Sequence, residues 1–378
     1  MKNNNFMIYE DLNKKSMYDL AKILFPLSRS LTGLGIKKSY EIFQILHKEF
    51  KIIKFKTGEK VGDWEIPEEW NIQDAYIELE NGSKICEFKK CNLSVVGYSI
   101  PINKTITYGE LIKHMHFRKD LPNAIPYVTS YYKRNWGFCI EFNKFKQLQT
   151  KEKYKCVIKS ELKSGSLELI EALIPSNNKR ENLKEIFFSS YLCHPSMANN
   201  ELSGPVLINK ILDYVKTLQA RKYNYRFVLL PETIGSIAYL SKKSSELIQK
   251  VECGYNLSCC GDENRFTHLE SPFGDNLADT ALKAALIGKD NVVTKSFLER
   301  GSDERQYCSS ELNLPIGQVS RTIYGKYNQY HTSGDDKNFM KHTMAWQDGR
   351  EVKVKYRDVH NRTLTNDVQY FPPKERVY

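Results

Sequence analysis

The run Ile186-Phe187-Phe188-Ser189-Ser190-Tyr191-Leu192, followed by Cys193-His194-Pro195-Ser196-Met197-Ala198-Asn199-Asn200-Glu201-Leu202-Ser203-Gly204, decides how the rest of the chain is read. A short apolar run closed by turn formers predicts a buried strand. It ends on a histidine. A loop of small and amide residues follows, and Ser203-Gly204-Pro205 opens a helix. Open α/β sheets gather ligands at the carboxyl edges of their strands. A histidine placed there, with amide and acidic side chains close behind, is raw material for a metal site.

The same rhythm continues downstream. A helix is predicted over 203–219, then the strand Tyr225 to Leu230 ending at Pro231-Glu232, and a helix over 235–249. Next come a strand from Glu252 to Cys260 ending at Gly261-Asp262-Glu263, a helix over 275–287 and a strand over 292–297. This alternation predicts an α/β fold, a mixed but mostly parallel sheet flanked by helices. His194, Glu232, Asp262 and Asp303 all fall at or soon after predicted strand ends. Upstream, residues 6–50 read as helical, with a break at Thr32-Gly33-Leu34-Gly35. From about 51 the texture changes to short alternating segments with a turn at Glu80-Asn81-Gly82, as expected for a β-rich insertion. Further strands are predicted at Tyr127-Val128-Thr129, Trp136 to Cys139 and Tyr154 to Ile158.

Composition narrows the classes. A chain of 378 residues, 41% hydrophobic and 12% aromatic, can bury one large core or two. The net charge of +11 suggests nucleic acid, but the basic residues are scattered among acidic ones, as in Lys242-Lys243 before Glu246. A solvated basic surface is the expectation, with nucleic acid disfavoured as a partner. No run approaches the ~20 apolar residues of a membrane span, and Met1-Lys2-Asn3-Asn4-Asn5 precedes no apolar signal core. The nine cysteines are odd in number and contain no CxxC pair, which fits reduced thiols and a cytoplasmic location. Cys193 beside His194 could be a nucleophile; a small buried strand residue is the plainer reading.

His194, Glu232, Asp303 and His331 form the candidate constellation. Imidazole and carboxylate are the usual ligands of hydrolytic zinc, which polarises a carbonyl and lowers the pKa of bound water. Singly each has a bland reading: a structural histidine, a carboxylate at a helix N-terminus, a helix cap, a loop histidine. In this order, on strand ends of one sheet, they are much less expected by chance.

The chain resembles the co-catalytic zinc aminopeptidase superfamily, which also contains glutaminyl cyclase. More closely it resembles a bacterial aminopeptidase-like family of unknown function whose members often carry a C-terminal winged helix. The resemblance rests on Leu24-Phe25-Pro26-Leu27-Ser28-Arg29-Ser30-Leu31-Thr32-Gly33, Asp63-Trp64-Glu65-Ile66-Pro67-Glu68-Glu69-Trp70-Asn71, and Asn92 to Ser99. Ile125 to Tyr132, Trp136 to Cys139 and the metal-site segments complete it. It covers roughly 15–339 and implies a zinc-exopeptidase fold made of 1–60 and 119–339, with a β-rich inserted subdomain over 61–118. It also implies zinc, one or two ions with one favoured, and His194 and His331 as metal histidines. The superfamily's bridging Asp falls at Asn200, beside Glu201; Glu232 alone remains of a Glu-Glu pair; a further metal Asp falls at Ser258. The metal set is therefore His194, Asn200, Glu232 and His331. Glu232, Glu201 and Asp303 are the catalytic candidates, and Tyr131, Tyr132, Trp136 and Tyr330 are expected to shape the substrate pocket. Residues 340–378 resemble instead the C-terminus of the succinate dehydrogenase flavoprotein subunit, which suggests a fused reading frame joined near Phe339, without dehydrogenase activity.

Three functions are thus in play. The first is a zinc hydrolase cleaving a peptide or amide bond near a free amine, with a small peptide or amide as substrate and a homo-oligomer compatible with the reading. The second is a catalytically degenerate peptidase-fold binding protein, favoured by Asn200 and Ser258. The third, DNA-linked regulation borrowed from relatives with a winged helix, ranks last because that element is not recognisable here.

Overall fold

In the computed structural model, residues 16–178 and 183–340 are described, together with the backbone of 354–357 and 363–366. The predicted features at 1–15 and most of the tail lie outside them.

The fold is built on an eight-stranded mixed sheet. Its spatial order is Lys51–Lys56, Ser166–Ile174, Asn224–Leu230, Glu185–Tyr191, Val251–Leu257, Ile316–Ser320, Phe266–Leu269 and Val292–Lys295. The four middle strands, from Asn224–Leu230 to Ile316–Ser320, run parallel. They are covered on both faces, so none of them shows a clean alternation of buried and exposed residues. Glu185–Tyr191 is buried along almost its whole length. Its two partners are Asn224–Leu230 on one side and Val251–Leu257 on the other. The chain therefore winds outward in one direction, then crosses back. That reversal makes a crevice at the carboxyl end of Glu185–Tyr191, where α/β ligand sites form.

Helix Ser203–Thr217 packs directly on this strand pair. Gly204 makes the close approach possible. A Cβ there would lie 2.2 Å from the Ser190 Oγ and 2.3 Å from the Leu257 carbonyl oxygen. Gly204→Ala must push the helix off the sheet, and we expect it to cost about 1–3 kcal/mol of stability in chemical denaturation. A second anchor is Arg226, buried and ion-paired with Glu171, Glu185 and Glu246.

A smaller four-stranded antiparallel sheet stands beside the main one, ordered Lys84–Ile85, Glu69–Glu78, Lys153–Lys163 and Ile102–Thr107. It has its own core of Ile77, Phe138, Tyr154 and Ile158. One of its two central strands, Lys153–Lys163, thus comes from beyond residue 118, while Lys51–Lys56 belongs to the main sheet. The predicted Tyr127-Val128-Thr129 strand is only a line of isolated bridges, Gly97 to Thr129 and Pro126 to Thr332. In the tail, Val354–Arg357 and Thr363–Asn366 pair antiparallel with each other.

Candidate functional site

Three strand ends deliver the site. His194 follows Glu185–Tyr191, Glu232 follows Asn224–Leu230, and His331 arrives on the loop after Ile316–Ser320. The His194 and His331 ring centroids lie 5.2 Å apart, and His194 Nε2 is 3.6 Å from a Glu232 carboxylate oxygen. His194 and Glu232 meet, and His331 stands beside them on the wall of the same cavity, its nitrogens not within 4.8 Å of both.

Each is fixed from behind. His194 Nδ1 lies 2.8 Å from Glu201 Oε2, while the other Glu201 oxygen accepts the His194 backbone N–H at 2.9 Å. That bond places a proton on Nδ1, and against burial Cys193 and Glu201 hold the imidazole well above its usual range, so Nε2 becomes a donor when an incoming cation displaces its proton. Glu232 Oε1 accepts the Ser302 hydroxyl at 2.7 Å, which leaves Oε2 toward His194. His331 stacks on Tyr330 with centroids 3.9 Å apart. Its backbone carbonyl accepts the Tyr127 N–H, but its Nε2 is buried with no partner. Burial first, and neighbouring His194 second, push the His331 imidazole down to about 3, so it is neutral and free to donate a lone pair. Burial likewise holds the Glu232 carboxyl above its usual range, against the pull of His194.

The residue types are those of a zinc site, and His194 with Glu232 has the spacing of two ligands; His331 is not within 4.8 Å of both, so it must close in to complete the set. Ligands about 2.0–2.2 Å from a tetrahedral metal stand roughly 3.3–3.6 Å from one another, and the His194–Glu232 pair is at 3.6 Å. The orphaned His331 nitrogen would be the third donor once it moves toward that pair. The carboxylate behind His194 is the usual orienting partner of a metal histidine. Cys193, His194 and Glu201 also form a tight polar group. That group converges on the rear nitrogen of His194, and burial pushes the Cys193 thiol up to about 11, so it is a neutral neighbour rather than a thiolate ligand.

Thr233 explains how Glu232 is aimed. It sits at φ 63°, ψ −75°, and the Ile234 N–H donates to the Glu232 carbonyl at 2.8 Å. This is a γ-turn with positive φ, a rare and strained form, and the residue in it is β-branched. Asp303 holds it, accepting the Thr233 N–H and the Ser236 hydroxyl, both at 2.8 Å, on one oxygen. Burial first, and Glu232 second, push the Asp303 carboxyl up to about 8. Asp303 therefore stands behind the turn and positions it.

Other expectations need correction. Glu201 is fully buried behind His194 and positions it; it does not reach the cavity as a base. Asn200 donates to the Tyr191 hydroxyl at 2.7 Å and toward Cys259 at 3.6 Å, its Oδ1 being unpartnered. Its backbone N–H, with those of Ala198 and Asn199, is held by Asp335. Ser258 accepts from Gln318 at 3.0 Å. Trp136 is not a pocket residue. It stacks on His114 at 3.7 Å inside the smaller core. In its place Trp64, Tyr127, Tyr131 and Tyr132 line the cavity of about 400 Å³ in front of His194, Glu232 and His331.

The comparisons agree with this architecture. A family model described as "Domain of unknown function (DUF4910)" matches residues 18–359. The chain belongs to this family. It is 40% identical over 353 residues to a Clostridium acetobutylicum protein named "Putative polysaccharide biosynthesis protein with aminopeptidase-like domain", covering 93% of this chain and 79% of that one. A crystal structure titled as a "putative peptidase" from Clostridium acetobutylicum matches this DUF4910 chain with TM-score 0.81 and 38% identity, over 89% of this chain and 78% of the other. The zinc aminopeptidase BSAP from Bacillus subtilis shares the fold at TM-score 0.62 and 13% identity, over 90% and 92% of the two chains. A stretch of 47 residues is 45% identical to the mitochondrial succinate dehydrogenase flavoprotein subunit of Oryza sativa subsp. japonica, 12% of this chain and 8% of that protein. None of the described helices is long and apolar enough to cross a membrane.

Proposed function

We propose that this DUF4910 protein is a zinc-dependent hydrolase of the aminopeptidase type, acting on a peptide or other small amide. One ion would be held by His194, Glu232 and His331. The observation that carries the reading is the buried, partnerless Nε2 of His331 beside the His194–Glu232 pair. A buried polar atom left unpaired is costly unless something binds it. When bound, zinc would supply Lewis-acid polarisation of the scissile carbonyl and an acidified water.

The chain's own residues do the rest. Glu201 locks the His194 tautomer. Ser302 and the Asp303-held γ-turn fix the direction of Glu232. The aromatic wall limits access of bulk water. Zinc titration of metal-free protein by calorimetry tests the assignment: one ion per chain is expected, with hydrolysis of aminoacyl or acyl amides appearing only after loading. All nine cysteines are free, which supports a reducing compartment such as the cytoplasm.

Asp303→Ala releases the strained turn and should weaken zinc about 10–100-fold, the usual effect of losing an orienting partner. The same titration reads it; unchanged affinity would dismiss the positioning role.

A second reading has its own observation. Among the described residues, Glu232 is the only carboxylate lining the cavity. If it ligates zinc, no second carboxylate stands in the cavity to take a proton. The protein would then bind its ligand without turnover. Zinc binding with no hydrolysis across peptide and acylated-amine substrates would favour this reading.

A further inference from the structure

Two exposed aromatic rings stand at the rim of the cavity. Trp64 is 41% and Tyr132 51% exposed, and their centroids are 5.4 Å apart. Large aromatic side chains usually turn inward. These two are held outward by design of the hairpin: Trp64 lies on the two-stranded ribbon Lys60–Val61 and Trp64–Glu65, and the Tyr132 hydroxyl donates to the Glu65 carbonyl at 2.9 Å. The platform is therefore fixed before anything binds. Deeper in, the Tyr127 and Tyr131 hydroxyls face each other at 2.7 Å.

Charge is what the cavity lacks. Among the described residues no Lys or Arg lines it, and its one carboxylate is Glu232. With Glu232 committed to a metal, nothing acidic remains there to hold a substrate ammonium. Nothing basic is there to hold a carboxylate. The walls instead offer aromatic faces with hydroxyl groups at their edges, which suit a neutral ring with one apolar face and a polar rim.

A second cavity, of about 390 Å³, adjoins the first and shares Tyr131 and Tyr132 as a wall. Its lining is of the opposite character. Glu65, Glu68, Lys133 and Arg134 line it, Arg134 being paired with Glu68. Charged groups of both signs, already balanced against each other, suit a neutral ligand rich in hydroxyls rather than an ion.

We propose that the ligand of this site is a saccharide bearing an acylated amine. The ring that carries the amide lies against Trp64 and Tyr132, and the neighbouring sugar units extend into the charged compartment. That this cavity is the substrate site rests on the hydrolase reading. The saccharide preference does not require turnover.

The probes are N-acetylglucosamine, its β1,4-linked trimer and leucinamide, titrated into the full chain with and without zinc. Calorimetry and tryptophan fluorescence follow binding. The trimer should bind about tenfold or more tighter than the monomer, and leucinamide more weakly than either. Trp64→Ala should weaken both saccharides about tenfold, the scale of one aromatic stacking contact, and Trp64→Phe should restore most of the loss. Zinc affinity should be unchanged in both variants, since Trp64 touches no metal donor. Tighter binding of leucinamide than of saccharide would overturn the proposal, as would saccharide binding indifferent to Trp64→Ala. Saccharide binding that depends on Trp64 in a protein that takes up no zinc would uphold this inference while removing the hydrolase reading.

Discussion

His331→Ala is expected to abolish stoichiometric zinc binding and to leave the metal-free protein as stable as before. The backbone bond that holds this loop, from the Tyr127 N–H to the His331 carbonyl, survives the substitution. No hydrogen bond to Nε2 is lost, because there is none. A buried polar atom without a partner costs about 1–3 kcal/mol, so its removal offsets the lost stacking on Tyr330. The ligand role and a structural role therefore separate cleanly. A structural histidine would lower the melting temperature of the metal-free protein. A ligand lowers only the zinc-dependent increment, RT ln(1 + [Zn]/Kd). We expect zinc affinity to fall by more than about a hundredfold, exceeding what loss of an orienting partner alone produces, and amide hydrolysis to vanish with it. Thermal shift and calorimetry with and without zinc read both quantities. Unaltered tight zinc binding by His331→Ala would remove the three-donor site altogether.

The parallel core was legible because both its faces are covered. Glu185–Tyr191 and Asn224–Leu230 carry the apolar runs Ile186-Phe187-Phe188 and Phe227-Val228-Leu229-Leu230, and each is soon followed by a polar residue, His194 or Glu232, at the sheet's carboxyl edge. Ile316–Ser320 was not legible. Its Gly317, Gln318 and Ser320 break any apolar pattern, and they are buried because Gln318 donates to Ser258 and Ser320. A strand stabilised by a polar network gives no local period to read. Lys153–Lys163 was found as a strand, yet its membership of the smaller sheet depends on pairing with Glu69–Glu78, about 80 residues earlier. Sheet membership of that kind is a long-range contact, absent from any window of sequence.

At the site the division is similar. His194, Glu232 and His331 were visible by type and by place on strand ends. The groups that aim them were legible as catalytic candidates, without the direction in which each one works. Asp303 and Glu201 are acids near a metal motif, and only the fold reveals that they face the rear of the turn and of the imidazole. Trp64 was within a quoted stretch but carried no signal of its own. Trp136 had the same residue type and the opposite environment.

Arg29→Met should be the most destabilising single change near the site, because it strands a buried charge. Arg29 is fully buried, donating from Nε to the His194 carbonyl at 3.1 Å and from Nη1 to the Leu24 carbonyl at 2.5 Å. Its Nε lies 4.0 Å from Glu201, also fully buried. Burial pushes the guanidinium down to about 10, with Glu201 resisting, so it remains charged at neutral pH. Removing the cation leaves Glu201 without its compensating charge, and breaking a buried pair from one side costs about 3–5 kcal/mol. Glu201→Gln should cost less and should weaken zinc about 10–100-fold through His194. The decisive variant is the double one. If the two charges support each other, Arg29→Met with Glu201→Gln should be less destabilised than the sum of the singles, by about 1–3 kcal/mol. Additivity within about 0.5 kcal/mol would show that they act independently. The coupling matters because Leu24 ends the helix Met17–Leu24. Through one side chain, Arg29 ties that helix's last carbonyls to the strand end that presents His194, so a segment some 165 residues away in sequence sets the aim of the metal histidine.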